Sequence, residues 1–490
     1  MHDAGLTRNE LLRRGAAGGL VVAGALGPQW VKSAFAAVET AEASKVHSFL
    51  TRPDLRPPVL SVVARDERVS AGHLFLAPSS GPGQRGPLIV DNTGEPVWCL
   101  NTRPVVTMNF RPGIFKGKPV LSWWEGKTTH GLGEGTHVIV DDTYREIARV
   151  PAGHGRPSDL HEFILTDRGT ALVTSWERVF TNLSGIGGPA DGVVVNGVVQ
   201  ELELPSGRVL FEWKSLDHVP ISESHTGITN RAAYDYFHVN SVELDRDGNY
   251  LVSARNTWAV YKVDRGSGDV MWRLGGRSSD FTLGPGAAFA WQHDARRHGG
   301  SDYLVSLFDD GSAPQVQPYS KALILALDFR RRHASVYRKY IHTPHVLAHA
   351  LGSVQMLADG NVLVGWGSSP YVTEYTLDGK VVFDAHLPYG GENYRALRQP
   401  WTGRPAMPPA LVYKRTEGTP TVYASWNGAT EVAWWRLDTG KTAGTVAEGS
   451  RSRRTGFETS IAVPAGAKYA SVAALDQHGA ELGRSKVIRV

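Results

Sequence analysis

Asn240 to Arg255 reads NSVELDRDGNYLVSAR. Apolar and polar residues alternate up to Leu244, a turn rich in Asp, Gly and Asn follows, and a second apolar run starts at Tyr250. That is the signature of a β-hairpin. The pattern returns at Gly352 to Gly367 (GSVQMLADGNVLVGWG) and at His161 to Trp176 (HEFILTDRGTALVTSW). Each copy is followed by a second hairpin of different composition: Ala259 to Leu274, Val372 to Phe383 and Val198 to Trp213. Two successive hairpins make a four-stranded antiparallel unit. Weaker versions run from about Gly72 to Leu100, with Pro87 to Trp98 as the outer hairpin, and from about Lys118 to Val150, with HVIVDDTYREIARV as the outer hairpin. One more spans Trp291 to Tyr340. A unit of this kind cannot bury both of its faces alone, and radial stacking solves that problem. Six units therefore predict an all-β fold, a six-bladed β-propeller over residues 60–405. A β-helix would need a shorter, stricter period, and a sandwich would not repeat six times.

Beyond Trp401 the proline-rich stretch to Pro409 reads as a linker. From Ala410 to Val490 apolar runs recur at sandwich spacing: Thr421 to Trp426, Glu431 to Leu437, Phe457 to Val463, Tyr469 to Ala474 and Lys486 to Val490. Residues 410–490 are expected to form a small fibronectin-like β-sandwich, with Trp426, Trp434 and Trp435 in its core. Residues 1–37 read as an export signal: Arg8, Arg13 and Arg14, then the short apolar run Gly15 to Gly27, then Ala34-Phe35-Ala36 as a cleavage site. Its glycine-rich apolar segment and Arg13-Arg14 resemble a twin-arginine signal, which predicts a periplasmic or extracellular protein. The apolar run is shorter than the roughly 20 residues a membrane helix needs, so no membrane span is expected in the mature chain.

Composition agrees with short strands and tight turns: 54 Gly, 28 Pro, 14 Trp and 16 Tyr in 490 residues. A formal net charge of +4, evenly spread, argues against a nucleic-acid binder. The lone cysteine, Cys99, excludes an internal disulfide and a cysteine-built zinc site. No phosphate-cradling loop, dinucleotide fingerprint or nucleophile elbow occurs.

Polar residues at the starts of the repeated units carry the candidate chemistry. His161 opens the third unit, His238 and Asn240 the fourth, and His293 the fifth; Arg255 closes the second strand of the fourth, and His349 precedes the sixth. In consecutive blades such positions would face a common axis. Three histidines suggest a metal, with Asp159, Glu162 and Asp294 available to complete the set. Arg255, a permanent cation, speaks against a metal, and arginine with histidines and an asparagine amide suits an oxyanion such as sulfate or phosphate. Trp291, two residues before His293 and expected on the same strand face, could wall an aromatic ring.

Asp235-Tyr236-Phe237-His238-Val239-Asn240-Ser241, Ser253-Ala254-Arg255-Asn256, Trp272 to Gly276 and Ala290-Trp291-Gln292-His293-Asp294 resemble the bacterial arylsulfotransferase family, most of all its actinobacterial-type members. The similarity runs from about Gly72 to Arg404 and on into the C-terminal module. The resemblance implies an exported six-bladed propeller that moves a sulfuryl group from an aryl sulfate donor to a phenolic acceptor. It implies a ping-pong cycle through a sulfohistidine, with neither an adenosine-phosphosulfate donor nor a cofactor. It makes His293 the nucleophile, gives Arg255, Asn240 and His238 the sulfuryl oxygens, and makes His161 or His238 the proton donor and acceptor. His349 and Trp291 would line the substrate pocket. Two other readings compete: a non-catalytic ligand-binding propeller, and a metal-dependent propeller lyase or oxidoreductase.

Overall fold

The computed structural model describes residues 45–228, 233–298, 303–416 and 418–490. The export signal expected at residues 1–37 lies outside them. The described chain is all-β. One helical turn, Ser215–His218, and three short 3₁₀ turns are its only helical segments, and no helix among the described residues is long and apolar enough to cross a membrane.

Six antiparallel sheets follow one another along the chain. The first holds His73–Leu76, Leu88–Val90 and Pro96–Cys99. The second holds Val106–Phe115, Lys118–Thr129, Leu132–Asp141 and Glu146–Val150; the third Phe163–Leu165, Thr170–Thr181, Gly192–Glu203 and Val209–Lys214. Val239–Leu244, Tyr250–Ala254, Ala259–Val263 and Val270–Gly275 make the fourth; His293–His298, Leu304–Asp309, Lys321–Asp328 and His333–Tyr340 the fifth; Ser353–Met356, Val362–Gly365, Tyr371–Tyr375 and Val381–His386 the sixth.

Both faces of these sheets are buried, which explains why strands with a strict two-residue period carry apolar residues on each side. In Lys321–Asp328, Leu323, Leu325 and Leu327 pack against the fourth sheet, and Ala322 and Ile324 against the sixth. Similar apolar layers join first to second sheet through Phe75, Trp98, Phe110 and Trp123, second to third through Val120, Ile139, Phe163 and Val173, and third to fourth through Leu172, Val199, Val242 and Tyr261. Leu363 and Phe383 of the sixth sheet pack against Leu74 and Val90 of the first. The series closes on itself, and each fully buried Leu or Phe in it contributes about 1.5–3 kcal/mol.

Several strands differ from the sequence reading. The first sheet receives a fourth strand, Leu397–Gln399, from more than three hundred residues away. Val106–Phe115 opens the second sheet before Lys118, where the unit was expected to begin; a register shift between Met108 and Arg111, with Asn109 in the left-handed region and Pro112 beyond it, hides its alternation. Ser61–Arg65 joins the outer edge of the sixth sheet, and Thr282–Leu283 pairs in parallel at the edge of the fifth.

Beyond residue 409 two further sheets form, Ala410–Thr416 with Thr419–Ser425 and Glu458–Ala462, and Arg451–Arg453 with Trp434–Gly440, Tyr469–Leu475 and Glu481–Arg484. Trp435 lies in the apolar layer between them. This region is bonded to the rest: Asn427 exchanges two hydrogen bonds with Cys99, Thr51 donates to Glu458, and the Tyr144 hydroxyl donates to the Gly428 carbonyl at 2.7 Å. Gly428 has φ +98°, and a Cβ there would lie 2.3 Å from the Tyr144 ring, so glycine is required on both counts.

Candidate active site

The first strands of the third, fourth and fifth sheets begin where the chain turns inward. His161 stands two residues before Phe163–Leu165, His238 just before Val239–Leu244, and His293 opens its strand. His238, Trp291 and Asp294 all lie in the left-handed region, at φ +55°, +59° and +57°. Such conformations are costly for residues with a Cβ and gather at functional sites. At the fifth sheet the kink has a visible purpose: the register shifts between His293 and Arg296, so His293 turns one way and Asp294 another.

Each of the three histidines holds an aspartate on Nδ1. His161 pairs with Asp159, His238 with Asp235 at 2.5 Å, and His293 with Asp310 at 2.8 Å. With the carboxylate accepting Nδ1–H, the hydrogen bond selects the tautomer whose Nε2 carries the lone pair; at His293 that lone pair accepts a long hydrogen bond, 3.4 Å, from the Leu351 backbone N–H. The rings are neighbours. His161 and His238 stand edge to face with centroids 4.9 Å apart, and Tyr394 faces both His161 and His293. The Tyr394 hydroxyl donates to the carbonyls of His161 and Asn240, tying three sheets together.

Arg255 reaches over this group. Its guanidinium donates to the His349 carbonyl at 3.2 Å and to Asn256 at 3.0 Å, and stands 4.8 Å from the centre of the Trp291 ring. A cavity of about 480 Å³ opens here, lined among others by His238, Arg255, Trp291, His349, His130 and Tyr234. Trp258 meets Trp291 edge-on and stacks flat on His225, extending the aromatic wall.

Burial, and after it the Arg255 cation, holds His293 well below the ordinary histidine range, so its imidazole is neutral at pH 7. Burial likewise lowers His161, against the opposing pull of Asp159. The Asp310 carboxyl is pushed well above the usual carboxylate range by burial, with Arg255 pulling it back.

All seven candidate residues meet in this one region. Four of them, His238, Arg255, Trp291 and His349, line the cavity; His161, Asn240 and His293 sit directly behind its wall and are almost wholly buried. Two expectations need correction. Trp291 is not on a strand face shared with His293: it occupies the left-handed turn before the strand, where its indole nitrogen donates to the Pro314 carbonyl. Asn240 spends its amide on the Gln292 carbonyl at 2.6 Å, fixing the peptide that precedes His293. Glu162 and Asp294, weighed as metal ligands, are engaged by arginines.

Those arginines form a buried ionic hub next to the histidines. Glu162 accepts from Arg111 at 2.9 Å, Arg296 at 2.5 Å and Arg395 at 2.8 Å, while Asp294 pairs with Arg296 and Arg395 at 2.6 and 2.9 Å. Burial works to raise both carboxyls, yet the arginines win and hold them below their ordinary values. Among the described residues no group of three or more His, Cys, Asp or Glu is arranged to hold a metal ion.

Sequence reasoning missed Asp310, Tyr394 and Arg395, and gave Asp235 no role. Asp310 lies in an Asp-Asp-Gly turn seventeen residues after His293, where a turn explains the residue without invoking a partner. Tyr394 and Arg395 lie just before the strand that returns to the first sheet, and no local pattern marks them.

A sequence model of the arylsulfotransferase (ASST) family matches residues 111–387, more than half of the chain. No curated protein sequence matches it. Among solved structures, the chain is similar to a protein of unknown function from Bacteroides caccae, at 15% identity and a TM-score of 0.41, covering 67% of this chain and 98% of that one. It is also similar to a protein from Lactobacillus plantarum at 12% identity and a TM-score of 0.35, covering 80% and 99%. A virginiamycin B lyase from Staphylococcus aureus matches at 10% identity and a TM-score of 0.33, covering 75% and 96%. At those scores the likenesses bear on neither fold nor activity.

Proposed function

The chain belongs to the arylsulfotransferase family, and from that premise we propose that it transfers a sulfuryl group from an aryl sulfate to a phenol by a ping-pong cycle through His293. The observation that carries the proposal is the state of His293: neutral, with Nδ1 committed to Asp310, and next to a cavity whose wall carries Arg255 and His238.

The cycle follows from those contacts. The Nε2 lone pair attacks sulfur, the N–S bond forms, and the S–O bond to the aryl group breaks. The ring becomes a sulfonated imidazolium whose Nδ1–H stays bonded to Asp310, and the positive charge beside it favours the carboxylate form that burial alone disfavours. Arg255 carries the sulfuryl oxygens as negative charge grows on them. To act as the acid, His238, braced by Asp235 and standing on the cavity wall, enters the first half-reaction with a second proton, on Nε2, and gives it to the departing phenolate; the neutral ring left behind, its Nε2 lone pair open, takes a proton from the acceptor phenol in the second half-reaction. The phenol oxygen then attacks sulfur, the N–S bond breaks, and neutral His293 returns. His161, behind the wall with its ring against His238, is the weaker candidate for that proton role.

We read the six sheets as the blades of a six-bladed propeller over residues 60–405, since their apolar layers run in a closed series and Leu397–Gln399 joins last strand to first sheet. The two later sheets read as a fibronectin-like sandwich over 410–490. The signal pattern in residues 1–37 and the family favour an exported protein. The test is incubation with para-nitrophenyl sulfate with and without phenol. Nitrophenolate release that rises with phenol, and one added SO₃ on the peptide holding His293 after brief exposure to donor alone, are expected. An adduct on the His238 peptide instead would move the nucleophile there.

A further inference from the structure

Two hairpins rise beyond their sheets beside the cavity. Lys118–Thr129 pairs with Leu132–Asp141, and Thr170–Thr181 with Gly192–Glu203; with ten to twelve residues each, these four strands are longer than most of the others. The tip of the first, His130-Gly131, reaches the site: a Cβ on Gly131 would lie 3.2 Å from the His238 ring. The second presents Trp176 and Arg178 on one face, by the two-residue period of a strand. The Trp176 indole nitrogen donates to the Gly133 carbonyl of the first hairpin at 2.9 Å, locking one ribbon to the other.

Between them lies a second cavity of about 250 Å³, walled by Trp176, Arg178, Leu132, Glu134 and Thr129. It meets the first cavity at His130 and Asp235, which line both. The first cavity already has the volume of an ordinary small-molecule pocket, so a single-ring phenol at Arg255 and His238 would leave the second one unused. Its walls are chemically mixed: the Trp176 indole, with the Arg178 guanidinium 6.0 Å from its ring centre, the apolar Leu132, and Glu134 and Thr129 to accept hydrogen bonds from hydroxyl groups.

We infer that this second lobe is a subsite for the distal part of the phenolic substrate, and that Trp176 and Glu134 make the protein prefer phenols carrying a second, hydroxylated aromatic ring over single-ring phenols. The inference rests on the sulfuryl-transfer reading for the position of the reacting hydroxyl, while the lobe itself is measured independently by binding.

The experiment uses the full chain with para-nitrophenyl sulfate as donor and either phenol or para,para′-biphenol as acceptor. The ratio of kcat/KM for biphenol over phenol should fall about tenfold in Trp176→Ala, the size of a lost ring contact with its burial, and fall less in Trp176→Phe. Glu134→Gln should lower the same ratio, and the burst of nitrophenolate from donor alone should keep its rate in all three. Because Trp176 also ties the ribbons, Glu134→Gln, an exposed change, guards against a folding defect. Calorimetric binding of the two phenols gives a second readout without turnover: biphenol should bind about tenfold tighter than phenol, and Trp176→Ala should erase the difference. Equal binding of the two phenols by the parent protein, or an unchanged ratio in folded Trp176→Ala and Glu134→Gln, overturns the subsite. A chain that prefers biphenol in calorimetry yet releases no nitrophenolate keeps the subsite and loses the sulfuryl-transfer reading.

Discussion

His293 and Asp294 are adjacent in the chain, and His161 and Glu162 are too, yet each pair divides between two regions of opposite character. His293 and His161 belong to a group of three imidazoles, each with Nδ1 tied to an aspartate; the Nε2 of His293 is held only by a 3.4 Å hydrogen bond from the Leu351 backbone. Asp294 and Glu162 belong to a hub in which carboxylate and guanidinium groups saturate one another. A buried ion pair is a poor source of net stability, because desolvation offsets most of the attraction. What the hub does is join Arg111 of the second sheet, Glu162 beside the third, Asp294 and Arg296 of the fifth, and Arg395 of the returning segment. One region fixes the sheets relative to one another; the other uses the position so fixed. The same strand kinks serve both.

This comparison breaks if the two regions answer alike to mutation. The largest expected effect is at His293. Replacing it with Asn should lower sulfuryl transfer by more than roughly 10³-fold, as for other covalent nucleophiles, and leave the thermal midpoint near that of the parent. A His293→Asn protein with full turnover would remove the proposed cycle. Next comes Glu162→Gln, which leaves three arginines facing Asp294 alone. Truncating one side of a buried pair typically costs about 3–5 kcal/mol, so chemical denaturation should report a loss of that order. If Glu162→Gln unfolds like the parent, the hub is not the fastening described above.

Asp310→Asn sharpens the contrast, since Asp310 touches only the catalytic side. The amide can present Nδ2–H to His293 Nδ1 and favour the wrong tautomer, as happens in other carboxylate–histidine pairs, so turnover should fall about 10²-fold or more while stability changes little. The adduct peptide should still be His293's, only slower to appear.

The hairpins were legible because their turns are built from Asp, Gly and Asn between strands of strict alternation, as in Asn240 to Arg255. What escaped was set by distance or by irregularity. Leu397–Gln399 is too short to announce itself and takes its identity from a partner three hundred residues earlier. Val106–Phe115 is broken by a bulge that erases the two-residue period. In the site, the histidines, Asn240 and Arg255 were visible through their repeated position at strand ends. Asp310 and Arg395 were not, because a charged residue in a turn or before a strand already has a sufficient reason to be polar. Glu162 and Asp294 were seen without their role: the sequence offers acids next to histidines, and only three dimensions reveal that Arg111, Arg296 and Arg395 take them.

The smallest effect concerns how far the two regions are electrically separate. His293 is held below its ordinary pKa by burial first and by Arg255 second. Protonation would remove the Nε2 lone pair, so the acid limb of kcat/KM for the donor should lie well below pH 6.5, with a flat profile through that value. Arg255→Gln removes the largest of the charge contributions, those of His161, His238 and Arg395 being smaller. With less positive charge nearby the imidazolium is easier to form, so the limb should move toward higher pH while staying under 6.5, because burial persists. Arg255→Lys keeps the cation and loses the planar fork that grips sulfuryl oxygens, so it should slow turnover and leave the limb in place. Comparing the two separates the field of Arg255 from its grip. A limb that moves equally in both would mean that geometry, and not charge, sets the His293 environment; a limb that moves in neither would leave burial and the other neighbouring groups as the cause and confine Arg255 to holding the transferred group.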